Sequence, residues 1–206
     1  MRMLLLAAVL ALAVPTISQA IVSLGARVGY GVPAGAAFKD APYKDGISSQ
    51  VPVQVDVMFG GRELQFGLYG GYASNSVNRT TLSPGETADS ATLRVGVQAT
   101  SELIDLLFLG IWAGIGTGYE AMQFNRTSPT INMESTFRGW EFATLSAGAD
   151  LKLIPLISLG LYGSAGFGQF GAYTIKTASG ESSGGIGPNK AIHSMYTIGL
   201  RGAFNL

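Results

Sequence analysis

The chain has 206 residues, one domain's worth, but only 13% of them are charged, against roughly 25% in soluble domains. Its formal charge is zero, which speaks against a nucleic-acid partner and against electrostatic steering of an ionic substrate. Cysteine is absent, so no disulfide can hold the fold and no lipid-modified cysteine can follow a leader.

Residues 1–20, MRMLLLAAVLALAVPTISQA, read as a secretory signal peptide. Arg2 supplies the positive start. Leu4–Val14 is an apolar run too short to cross a bilayer as a helix, and Pro15 breaks it. Ser18-Gln19-Ala20 then places small residues at the −3 and −1 positions of a cleavage site. The mature domain is 21–206, with one more acid than base once Arg2 is removed.

From Val22 onward apolar residues recur every second position, the period of a β-strand. Eight such stretches follow in order. Val22, Leu24, Ala26, Val28 and Tyr30 mark the first, Val53 to Phe59 the second, Leu64 to Tyr72 the third, and Leu93 to Ala99 the fourth. The fifth is LLFLGIWAGIGTGY, residues 106–119. Its glycines would weaken a helix by about 1 kcal/mol each relative to alanine. Ala143 to Leu151, Leu159 to Phe167 and Tyr196 to Phe204 complete the set. Tight turns are expected at 60–62, 101–105 and 153–156, and long polar connections at 33–48, 75–90, 121–136 and 175–190. Short links at one end and long ones at the other predict an all-β, eight-stranded antiparallel up-and-down transmembrane β-barrel.

The alternating faces differ in kind. One is Leu, Val and Ile. The other is mostly Gly, Ser and Thr with a few long polar residues, which suits the narrow interior of an eight-stranded barrel better than a soluble surface. A lipocalin-like soluble binder, with the apolar face inward, ranks third for that reason. Tyr30, Tyr72, Tyr119 and Tyr173 end the odd-numbered strands on their apolar parity and are expected to form an outer aromatic girdle. On the inner parity, Arg27, Asp56, Arg94, Asp150 and Arg201 form the expected lumen charge network. Tyr69, Trp112 and Tyr162 are expected to fill the lumen, and Phe108 to occupy space beside neighbouring glycines. Trp140 and Phe142 fall on the inner parity and Glu141 on the outer, so a bulge near 140–142, or a strand end above the bilayer, is required. Pro52 requires a strand end or bulge as well.

The leader, the eight alternating strands and the terminal strand YTIGLRGAFNL together resemble the small outer-membrane β-barrel proteins of Gram-negative bacteria, of the OmpA-domain and OmpX type. The resemblance covers the whole mature chain and is architectural. It implies an outer-membrane location and surroundings of outer-membrane lipid and lipopolysaccharide. It also implies a monomer, with the barrel assembly machinery as partner of the C-terminal strand. Such families usually end in phenylalanine; here Phe204 precedes a terminal Leu206 on the same parity.

No catalytic constellation stands out. His193 is the single histidine, and Ser194 beside it points to the opposite face of a regular strand. A barrel enzyme acting on lipid A or phospholipid through a His–Ser pair is therefore the alternative, and the deacylase spacing would need the serine where Met195 stands. No cofactor or metal is expected. Asn78-Arg79-Thr80 and Asn125-Arg126-Thr127 match the glycosylation pattern by chance, and Gly184-Gly185-Ile186-Gly187 is a flexible loop, not a phosphate loop. The leading expectation is a non-enzymatic barrel with a filled lumen and surface-contact loops.

Overall fold

The computed structural model describes residues 21–61, 63–129, 132–154 and 156–206; the leader read at 1–20 lies outside them. In chain order, β1 (Ile21–Phe38) is followed by a two-residue strand, β2 (Ala41–Pro42), and a single helical turn, α1 (Tyr43–Gly46). Then come β3 (Ile47–Gly60), β4 (Gln65–Val77), β5 (Thr87–Asp105), β6 (Leu109–Thr127), β7 (Asn132–Ile154) and β8 (Ile157–Thr177). A short β9 (Gly180–Gly185) precedes β10 (His193–Asn205). The eight long strands pair antiparallel in sequence order, and β10 pairs with both β8 and β1. The sheet therefore rings through eight strands as an up-and-down barrel, which leaves no long edge unpaired among the described residues.

The apolar face is the outside. Val55, Leu68, Leu161 and Ile198 are 60–69% exposed, whereas Ser23, Arg27, Asp56 and Tyr69, on the other parity, are at most 8% exposed. A soluble barrel would place them the other way round.

The strands are longer than their apolar alternation. Much of 121–136 and 175–190, expected to be loop, is ladder: β6 and β7 stay paired up to Thr127 opposite Asn132, and β8 and β9 up to Thr177 opposite Gly180. Beyond the apolar band the outward residues turn polar, as at Gln123, Thr136 and Thr174, so the two-residue hydrophobic period vanishes while backbone pairing continues. The expected turn at 101–105 is also displaced. β5 passes through a bulge at Leu103, between the Glu102–Trp112 and Ile104–Ile111 pairs, and the connection is 106–108. Phe108 lies in it, 63% exposed, and does not fill the lumen.

Two bulges reset which way β7 and β8 face. Glu141 pairs with Gly168 and Ala143 with Phe167, leaving Phe142 as the extra residue. Above it Glu141 turns inward, 6% exposed, and Trp140 outward, 62% exposed. Gly139 pairs with Phe170 and Arg138 with Ala172, leaving Gly171 as the extra residue on β8. Pro52 is inside β3, facing Ala73 of β4. Toward β1 the pairs stop at Val28–Val53 and resume at Gly31–Gln50, which suits a residue with no N–H to donate.

Candidate functional site

The interior is the site where polar chemistry collects, and it has layers. In the layer nearer the short turns, Trp112 Nε1 donates to Asp150 Oδ1 at 3.1 Å, and Arg201 pairs with the same carboxylate through Oδ2. The guanidiniums of Arg27 and Arg201 stand 5.2 and 4.6 Å from the Trp112 ring, within cation–π range. Arg27 also lies 5.7 Å from the Tyr162 ring and 3.5 Å from Asp56 Oδ2. Arg27 and Arg201 sit opposite each other across β1 and β10, a repulsive placement offset by one acid for each. The layer is neutral.

Tyr69, Trp112 and Tyr162 each face a glycine directly across the ladder: Gly96, Gly148 and Gly199. A Cβ on these glycines would come within 2.6, 2.7 and 2.9 Å of the respective rings. Glycine opposite each aromatic is what lets three large side chains lie across so narrow a lumen.

The second layer is built around Arg94. Its Nε is 3.4 Å from both Glu120 Oε2 and Glu141 Oε2. Tyr69 donates to Glu141 Oε1 at 3.0 Å, the Thr144 hydroxyl donates to the same oxygen, and His193 Nε2 contacts Glu120 Oε1. The expected five-residue network is thus two clusters, and Arg94 belongs to a different one from Arg27, Asp56, Asp150 and Arg201. A cavity of about 50 Å³ lies between them, lined among others by Arg27, Gln98, Arg94, Glu141, Ser164 and Thr197. Glu120, Glu141 and His193 join the interior chemistry without belonging to the expected network. Glu120 lies on the inner parity of its strand, one residue past Tyr119, so alternation alone is enough to place it inward. Alternation fails for Glu141, because the bulge at Phe142 reverses its parity.

Over this layer sits an apolar plug formed from Ala37, Tyr43, Ile47, Met122, Phe170, Ile186 and Met195. Tyr43, delivered by α1, is 2% exposed and donates to Met122 Sδ at 3.5 Å. Burial, and secondarily the Glu120 charge, push its phenol above the usual range. Phe170 stacks on His193 with centroids 4.4 Å apart, and Tyr43 lies 5.0 Å from it. His193 is therefore sealed, 2% exposed, with a carboxylate rather than a hydroxyl on Nε2.

On the outside, Tyr30, Tyr72 and Tyr119 are 54, 56 and 40% exposed. Tyr173, expected with them, packs against the plug; the extra residue at Gly171 turns it inward. Trp140 stands against Tyr119 instead, edge to face at 5.8 Å, and Tyr196 is 49% exposed. At the opposite end the barrel opens into a vestibule of about 880 Å³ whose floor includes Trp112, Asp150 and Arg201. Lys152 bridges Glu102 at 2.6 Å and also pairs with Asp105 at its wall.

No family model matches the chain, and no curated protein matches it. Solved structures do. A major outer membrane protein from Thermus thermophilus aligns over 91% of this chain and 99% of its own, with 15% identity and a TM-score of 0.58. The outer membrane protein OprG from Pseudomonas aeruginosa aligns over 88% of this chain and 95% of its own, with 14% identity and a TM-score of 0.52. The chain has the fold of the small eight-stranded outer-membrane β-barrel proteins.

Proposed function

We propose that this chain is a non-enzymatic integral outer-membrane protein. Residues 1–20 direct its export and are removed, its lumen is filled, and the outer ends of its strands and loops serve contact at the cell surface. The observation that carries this reading is the outward apolar face, continuous around the ring and bordered by Tyr30, Tyr72, Tyr119 and Trp140. That face finds a suitable solvent only in lipid. The small central cavity and the plug above it support a filled interior. The alternative, a lipid-modifying enzyme, gains no support from His193, whose ring is sealed beneath Phe170 and Tyr43.

Fractionation of the native host tests the location. The protein should leave the outer membrane only with detergent and migrate faster unboiled than boiled; recovery in the soluble periplasm would refute the proposal. For orientation, Ser83→Cys and Ser183→Cys should react with an impermeant maleimide on intact cells, and Glu63→Cys and Glu102→Cys should not. The reverse pattern would invert the barrel.

A further inference from the structure

We propose that Arg138 and the polar residues just above it form a binding site for the phosphorylated sugar headgroup of a membrane glycolipid. This rests on the outer-membrane reading. The register defines successive outward rows across β6, β7 and β8. The first is Tyr119, Trp140 and Gln169; the next is Ala121, Arg138 and Ala172; above it come Gln123, Thr136 and Thr174. Arg138 is thus the first charge above the aromatic border in these three strands. It is exposed, and two alanines flank it across the ladder, so its guanidinium is unhindered. None of the ion pairs or hydrogen bonds among the described residues engages it.

Position and chemistry point to one class of ligand. An arginine facing lipid costs roughly 2–4 kcal/mol at the bilayer midplane and about 0–1 near the interface, so its place at the border of the band is a headgroup depth. Two residues above Trp140 is about 5 Å higher along the axis, at ~3.3 Å per residue and a tilt of ~40°. The guanidinium fork matches two phosphate oxygens. The next row offers two hydroxyls and an amide, which complement sugar hydroxyls. Glu134 and Asp89 also face outward, one row further up, where Asn125 donates to Asp89 at 2.9 Å and Lys176 stands opposite Glu134. Four residues from Arg138 to Glu134 is about 13 Å, beyond the screening length of ~8 Å at physiological salt. These acids therefore do not cancel the site.

The test uses the full mature protein in a phosphate-free maltoside detergent, with lipid adducts counted by native mass spectrometry. Diphosphoryl lipid A should bind the wild type. Its dephosphorylated form should bind roughly ten-fold more weakly, the effect of removing one charge-assisted hydrogen-bonded pair. Arg138→Gln should lower diphosphoryl lipid A to that same level, with Arg138→Lys between. Because the side chain points outward, each variant should keep the fast-migrating unboiled band, which certifies the fold. Equal binding by the wild type and Arg138→Gln would overturn the site. Inorganic phosphate binding by itself with the same Arg138 dependence would overturn the lipid as its source. A wild type that is not membrane-inserted would instead refute the parent reading, independently of either result.

Discussion

Asp150 holds two groups in place: it accepts from Trp112 Nε1 and pairs with Arg201, and Gly160 opposite it gives it room. Removing it leaves Arg201 buried with its counter-charge gone. Breaking a buried pair from one side costs about 3–5 kcal/mol, so Asp150→Ala should lower the urea unfolding free energy in detergent by that order. Asp150→Asn, which keeps an acceptor for Trp112, should cost less; equal losses would show that the indole hydrogen bond contributes little. His193 offers a contrasting case. Its removal leaves Glu120 still paired with Arg94, so His193→Ala should remain folded. Mass spectrometry of lipid A from the wild-type and His193→Ala strains should give the same acylation pattern. A missing or extra acyl chain would promote the enzyme reading.

Among the connections beyond the apolar band, two contribute Tyr43 and Ile186 to the apolar plug, whereas the one after β4 is held by polar pairs. The segment after β4 is closed by Glu86, whose carboxylate accepts from Arg126 Nε and Nη2 at 2.7 and 2.8 Å and from the Ser83 N–H at 3.0 Å. The Arg126 hydrogen bonds, and then the Ser83 N–H, hold the Glu86 carboxyl below the usual carboxylate range. The pKa is depressed in the folded state, so the contribution is complete above the ordinary carboxylate pKa and declines as pH falls through the lower folded value. Hydrogen exchange of residues 78–86 should therefore quicken on strong acidification, relative to the barrel strands. Glu86→Gln should exchange at the faster rate already at neutral pH and lose that pH response. An unchanged profile in the variant would assign the closure to other groups. The bulges at Phe142 and Gly171 act at this same scale. Each adds one residue to one strand, and each thereby decides whether Glu141 or Tyr173 faces the lumen.

Taken as a whole, the molecule is sealed toward the loop end and open toward the turn end. Between the plug and the vestibule stand two charged layers with about 50 Å³ of free volume between them. Planar-bilayer recordings of the wild type should show no steady conductance, since an eight-stranded interior is just wide enough for side chains to fill. Trp112→Ala combined with Tyr162→Ala enlarges the layer beside the vestibule but leaves the Arg94 layer and the plug in place. It should remain non-conducting, and conduction there would mean that the second layer does not block the path.

Strand number, the direction of the apolar face and the difference between the two ends were legible in the sequence, because side-chain parity and link length are local properties. Any stretch such as Val53 to Phe59 declares its two faces without reference to the rest of the chain. The inward placement of Arg27, Asp56, Arg94, Asp150 and Arg201 followed from that parity. Their division into two layers did not, because depth depends on how each strand is staggered against its neighbour around the closed ring. Only the tertiary structure could set Glu120, Glu141 and His193 around Arg94, residues separated by up to 99 positions in the chain. Only it could show Tyr173 turned inward, and only it could choose the bulge at Phe142, rather than a strand end, as what turns Trp140 outward, because a single extra residue inverts every side chain beyond it. Strand length above the band was also a tertiary decision. There the outward residues turn polar, so composition no longer records the pairing that the backbone maintains.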